Sequence, residues 1–215
     1  MANASQIEIR PLTSADLESA ARVHLAAFPE SALTALGLES VRRYYDWQLT
    51  GPHDALAISA WCNGEFAGFC FGGVFRGAMS GFLQRNRLYL AWRVLTHPWL
   101  ALNPLFRDRL VSGLNIYRRF RGSAKTPTTT KAAAQPRFGI LAIAVNPKFQ
   151  GFGVGKQLMQ VSETAARERG FTLMQLSVNT ENFQAIKFYE SLGWQKSLVQ
   201  EIWKGEMLKP LTERQ

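Results

Sequence analysis

The stretch from residue 138 to 169 constrains this chain more than any other. Residues 138–145, FGILAIAV, are an apolar run of strand length, and Asn146-Pro147 ends it. A glycine-rich turn over 150–155 follows. Residues 154–169 then read as a helix, with Val154, Leu158, Val161 and Ala165 expected on one face and Gly170 as its stop. The physics of a strand, glycine turn and helix is anion binding. Glycines let backbone N–H groups converge without Cβ obstruction, and the helix start adds free N–H groups and the positive end of its dipole. Lys156 in the first turn adds charge, and a pyrophosphate is the natural ligand. Two familiar phosphate loops are excluded by spacing. A P-loop needs four residues between Gly and Gly-Lys, but Gly151 and Gly155-Lys156 enclose three, and Gln157 follows in place of Ser or Thr. The dinucleotide fingerprint needs glycine at 156, which is Lys.

Upstream, residues 7–10 alternate as a short strand. Thr13 and Asp16 form a capping-box pattern that opens a helix to about Ala27, with Leu17, Ala20, Ala21, His24 and Leu25 on its buried side. A break at 28–31 precedes a second helix over 39–49. Two strands, 55–62 and 65–73, flank Asn63-Gly64, a type I′ hairpin signal. That turn pairs Cys62 with Glu65 and Cys70 with Ala57, so the two cysteines do not meet and are expected as free, packing thiols. Residues 81–96 read as a helix ended by His97-Pro98. Asn103-Pro104 opens another helix to about Phe120, and 123–136 reads as a linker. After Gly170 come a strand over 171–178, a helix over 182–192 ended by Gly193, and strand material over 197–208.

Two motifs carry a family resemblance. The first is strand, then Gln-x-x-Gly-x-Gly (Gln150, Gly153, Gly155), then helix. The second, about thirty residues on, is Asn182-Phe183-Gln184-Ala185 through Phe188-Tyr189 to Gly193-Trp194. Together, and in this order, they resemble the GNAT superfamily of acyl-CoA N-acyltransferases over about 7–73 and 138–208. The resemblance implies an α/β fold with a mixed, centrally splayed sheet flanked by helices, in one domain over 1–215. It implies acetyl-CoA as cosubstrate, without metal. Ile143, Ala144 and Val145 are the expected backbone partners of pantetheine. The amides of Gln150, Gly151, Phe152, Gly153, Val154, Gly155 and Lys156 are expected to hold the pyrophosphate, with Asn182 approaching from the other side. Tyr189 matches the general acid that protonates the leaving thiolate, and a backbone N–H near Val145 is placed to stabilise the oxyanion. Many relatives use a Glu on the central strand as base. Residues 139–145 hold no acid, which leaves His24, Glu30 or an ordered water chain as candidates. No His, Cys and carboxylate spacing suggests a metal site.

The implied reaction is direct attack of an amine on the thioester, with a small molecule or sugar derivative favoured as acceptor. Protein N-termini or lysines are the alternative, as is a non-catalytic acyl-CoA-binding, membrane-associated protein. Neither the acceptor nor an oligomeric state is named by the sequence.

Charge separates the chain into two parts. Residues 75–137 hold ten Arg and two Lys against one acid, Asp108, while the remainder holds 13 basic and 15 acidic residues. The net charge of +9 is therefore that of a basic helical insertion in a slightly acidic core. Four readings of the insertion stand: a lid, an anionic membrane surface, a phosphate-bearing substrate, and RNA, with nucleic acid disfavoured for want of RNA-motif organisation. No signal-like apolar stretch opens the chain and no run of about 18 apolar residues occurs. With two free thiols, the expected location is the cytoplasm, with membrane association through the insertion kept open.

Overall fold

The computed structural model describes residues 6–97 and 137–211. The expected helix after Asn103 and the linker over 123–136 lie outside the described residues. The elements are β1 (Ile7–Pro11), α1 (Leu17–Ala27), the single turn α2 (Ala32–Ala35), α3 (Leu38–Thr50), β2 (Asp54–Cys62), β3 (Glu65–Val74), α4 (Ala78–Arg85), α5 (Arg87–Thr96), β4 (Phe138–Val145), α6 (Val154–Glu168), β5 (Leu173–Ser177), α7 (Phe183–Ser191), β6 (Gln195–Val199) and β7 (Ile202–Pro210). The strands form one mixed seven-stranded sheet in the order β1-β2-β3-β4-β5-β7-β6, in which only β4 and β5 run parallel.

Side-chain alternation splits the core between the sheet's two faces. Phe69 and Phe71 of β3 meet Leu17, Ala20 and Ala21 of α1 and Val41, Tyr44 and Tyr45 of α3. Tyr45 is fully buried, its ring stacked on Phe71 at 4.9 Å. On the opposite face Ile58, Cys70, Ile140, Met174 and Met207 meet Val154, Leu158, Met159 and Ala166 of α6, with Phe188 and Tyr189 of α7 packed against them.

The sheet splays at its centre. β3 follows β4 along nearly its whole length, from Gly73 against Gly139 to Gly68 against Val145. β5 pairs with β4 only over Phe138, Ile140 and the residue between them. Among the described residues no strand lies beside the β5-facing edge of β4 from Leu141 to Val145.

Several sequence expectations are corrected. Cys70 lies opposite Ile58, not Ala57, because a bulge at Ala60/Trp61 leaves Ala67 unpaired and shifts the register by one. Both thiols are nonetheless free and buried. The helix expected over 81–96 is two helices, because Asn86 leaves helical dihedrals and its side chain donates to the Phe82 carbonyl at 3.0 Å. The buried face of α6 is Val154, Leu158, Met159, Ser162, Glu163 and Ala166, while Val161 is exposed. Ser162 and Glu163 turn inward because they are satisfied there: Ser162 donates to the Leu158 carbonyl, and Glu163 receives Lys209. The strand material expected over 197–208 is a hairpin turning at Gln200 and Glu201, both at positive φ. The capping box is present, but it closes a 3-10 turn before α1 begins. Ser31 caps α2 where only a break was expected.

The first part of the basic insertion is built into the core. Phe82 is 1% exposed and meets Tyr44 edge-on at 5.4 Å. Gln48, fully buried, donates to the Ala78 carbonyl at 3.0 Å. On α5, Arg93 donates to the Leu36 carbonyl, and Tyr89 reaches Ser40 at 3.2 Å beneath the Arg43 guanidinium.

Candidate functional site: the open strand edge and its anion loop

β4 ends at Val145, and a 3-10 turn over Pro147–Phe149, capped by the Asn146 side chain, carries the chain to the loop. The Asn146 N–H donates to the Ala67 carbonyl on the β3 side at 2.8 Å. A Cβ built on Gly68 of β3 would meet the Ala144 carbonyl, so that carbonyl also points toward β3. Strand alternation then turns the backbone N–H and C=O groups of Ile143 and Val145 to the open edge, and those of Ala144 to β3. Of the three residues named from sequence, two present main-chain groups to the gap and one presents them to the neighbouring strand.

The loop beyond is a cluster of free donors. The backbone N–H groups of residues 151–156 donate to no acceptor among the described residues, and no side chain caps α6. Gly151 and Gly153 sit at φ of 83° and 84° with open space where a Cβ would be, so glycine is needed there for backbone conformation. Gly155 is different. A Cβ on it would lie 3.3 Å from the Phe188 ring and 3.6 Å from Val145. That glycine lets the first turn of α6 close on α7 and on the end of β4. Lys156 and Phe152 are exposed at the loop.

Phe188 of α7 is thereby set against the end of β4, and Tyr189, the next residue, packs on the same core cluster as Val145. Its ring adjoins Phe188 at 5.3 Å and Trp194 at 6.1 Å. Its hydroxyl makes no hydrogen bond among the described residues. Burial, and secondarily the Cys70 thiol, push the phenol above its ordinary pKa, so it holds its proton through the neutral range. Cys70 itself is pushed up to about 12 by burial, which makes it a packing group with no nucleophilic character. Its proximity to Tyr189 has no signal in the linear sequence, since β3 and α7 are far apart in the chain.

Asn182 stands at the start of α7, where its side chain accepts from the Ala185 N–H at 3.0 Å. One of its two functional atoms is therefore committed to the helix cap. The candidate bases fare differently. His24 is buried, with Nδ1 at 2.8 Å from the Tyr45 hydroxyl and Nε2 at 3.2 Å from Ser31. Burial lowers its pKa to about 4, so it is neutral and spoken for at both nitrogens. Glu30 is exposed in the turn after α1. Among the described residues no group of three or more His, Cys, Asp or Glu could hold a metal ion, and no helix is long and apolar enough to cross a membrane.

The arrangement couples an open strand edge, an unpaired nest of N–H groups and a protonated phenol. The sequence profile of the Acetyltransferase (GNAT) family matches residues 18–194. The chain is 38% identical over 61 residues to the uncharacterized N-acetyltransferase MJ1207 of Methanocaldococcus jannaschii, covering 28% of this chain and 27% of that protein. It is 31% identical over 76 residues to the mycothiol acetyltransferase of Thermomonospora curvata, covering 35% of this chain and 26% of that protein. The matches thus span about a quarter of the length of these curated relatives. In fold it is similar to the PaiA N-acetyltransferase of Thermoplasma acidophilum, solved in complex with coenzyme A, at a TM-score of 0.56 and 13% identity over 95% of this chain and 99% of that one. With 177 of its 215 residues inside the matched region, the chain belongs to the GNAT family of acetyltransferases.

Proposed function

We propose that this protein transfers an acetyl group from acetyl-CoA to a primary amine. One observation carries the reading: among the described residues the unpaired edge of β4 runs into a loop whose N–H groups from 151 to 156 are all free, and Tyr189, a phenol that keeps its proton, packs in the same cluster as Val145 at the end of that edge. The residues fit the cosubstrate. An extended pantetheine amide suits the edge groups of Ile143 and Val145, with Ala144 holding the strand to β3. A pyrophosphate suits the free amides of Gly151 to Lys156, with the Lys156 ammonium adding charge, whereas the Gln150 N–H expected to join them donates to the Pro147 carbonyl at 3.3 Å. Asn182 retains its amide nitrogen for a contact from α7.

Acetyl-CoA supplies the acetyl group activated as a thioester. The Val145 N–H, directed out of the open edge, polarises a carbonyl oxygen seated against it. The neutral amine attacks the carbonyl carbon, the C–N bond forms, and the C–S bond breaks. Tyr189 Oη gives its proton to the departing sulfur. The amine nitrogen releases its own proton to water, since His24 is sealed in the α1–α3 interface. A small amine or amino sugar is the favoured acceptor, and a protein amine is the alternative.

Calorimetric titration with acetyl-CoA tests the binding half, and no binding below about millimolar would overturn it. Release of free CoA thiol in the presence of an amine panel tests the catalytic half. Binding without amine-dependent thiol release would make the protein a non-catalytic acyl-CoA binder.

A further inference from the structure

Helix α5 has two apolar faces. One is docked: Leu90 and Val94 pack near Leu36, with Tyr89 and Arg93 tied to the start of α3. The other is bare. Leu88 is 79% exposed, Trp92 57% and Leu95 80%, and their spacing of four and three residues stacks them on a single side of the helix. Three large apolar groups held outward on a rigid helix require an occupant.

The surrounding charge selects among occupants. Residues 75–97 carry Arg76, Arg85, Arg87 and Arg93 and no acid. Arg85 and Arg87 flank the turn at the N-terminal end of α5, where the helix dipole adds to their charge. Residues 98–136 of the same chain bring five Arg and two Lys against one Asp, so covering the face with that segment adds like charge to like. A second copy of the face does the same. Nucleic acid complements the arginines but leaves Leu88, Trp92 and Leu95 in water. An anionic lipid surface meets both requirements, with phosphates at the arginines and acyl chains at the leucines. Trp92 suits the boundary between them.

We propose that the outer face of α5, with Arg85 and Arg87, docks this enzyme peripherally on anionic phospholipid. The helix is about 15 Å long, enough to lie in the interface and too short to span it. The docked face fixes the outer face relative to α3, so the lipid surface lies across α5 from the α2–α3 junction.

The test is flotation of the full chain with vesicles of phosphatidylcholine alone, and with about a third of the lipid replaced by phosphatidylglycerol. The protein is expected to float with the anionic vesicles, to stay behind with the neutral ones, and to be released by high salt. Leu88→Glu with Leu95→Glu should lower binding about tenfold or more, with thiol release from acetyl-CoA unchanged in solution. Arg85→Gln with Arg87→Gln should lower it by a comparable factor and weaken the salt dependence, giving a second reading should the first variant misfold. Equal flotation on both vesicle types, no flotation, or wild-type binding by both variants overturns the proposal. So does a dimer, seen by light scattering, that the Leu88 and Leu95 substitutions dissociate. None of these outcomes bears on acetyl transfer, which is read separately.

Discussion

Tyr189 and His24 show how burial sets the protonation state of a side chain, with opposite consequences. Burial raises the Tyr189 phenol, so the group remains an acid across the working range. Tyr189→Phe removes the proton and leaves the ring in its packing against Phe188 and Trp194. Turnover should fall by about a hundredfold or more, with acetyl-CoA affinity by calorimetry nearly unchanged. Unchanged turnover would remove Tyr189 from the acid role. His24 is the reverse case. Its pKa is lowered from 6.5 to about 4 by desolvation, so between those values the unfolded chain binds a proton here that the folded chain does not. Stability is therefore full above 6.5 and falls as pH drops toward 4, by roughly 3 kcal/mol from this group. Urea midpoints followed by tryptophan fluorescence across that window should show the loss. His24→Gln should be less stable near neutrality, through its lost contacts to Tyr45 and Ser31, but flatter in its response to acid. An equally steep acid loss in the variant would place the titrating group elsewhere.

At the scale of elements, the glycines that open α6 divide by what they do. Gly153 is at φ 84° with nothing within 4 Å of a built Cβ, so Gly153→Ala costs conformation alone, about 1–2 kcal/mol, and disturbs the amides around it. Its expected signature is a raised KM for acetyl-CoA with little change in turnover of the bound complex. Gly155 has helical backbone but touches Phe188. Gly155→Val drives a branched side chain into that ring, costs about 1–3 kcal/mol, and should lower kcat by moving α7 and Tyr189 with it. Matching kinetic signatures in the two variants would remove the distinction. This loop was legible in the sequence because glycine spacing, Asn146-Pro147 and the apolar run are local signals. The Asn63-Gly64 hairpin was legible for the same reason. Its bulge was not, since Ala67 looks no different from any other small strand residue. The β6–β7 turn carries no such signal, because Gln200 and Glu201 take positive φ without the usual glycine or asparagine. The phase of α6 is not legible because Ser162 and Glu163 read as surface residues until Cys70 and Lys209 are brought to them from distant strands. The splay of β4 was expected only through the family resemblance. Physically it is a property of where β5 stops, which residues 141–145 do not record.

For the whole molecule, the question is how deeply the basic insertion belongs to the core. Gly73 pairs with Gly139, so the chain leaves and re-enters the sheet at neighbouring points, and a tight turn could in principle replace everything between. The packing argues against equal treatment of the whole segment. Residues 75–97 supply Phe82 to the aromatic cluster around Tyr44 and Tyr45, and give fully buried Gln48 its acceptor at Ala78. Losing a buried phenylalanine costs about 3–5 kcal/mol, and stranding a buried amide about 1–3 more. Such a loss is a large share of the roughly 5–15 kcal/mol that holds a domain of this kind together. Replacing 98–136 with a Gly/Ser linker of about 20 residues, whose ends average about 25 Å apart, keeps all of those contacts. It removes seven basic residues and one acid, lowering the net charge from +9 to +3. The linker protein should therefore unfold in one cooperative transition close to the full chain and bind acetyl-CoA with similar affinity. The protein closed by a turn between Val74 and Phe138 should be unfolded or strongly destabilised, read in denaturant titration as an unfolding free energy lower by several kcal/mol. Comparable stability of the two deletions would show that α4 and α5 rest on the core without supporting it. The one-domain reading would then give way to a core with a detachable basic appendage.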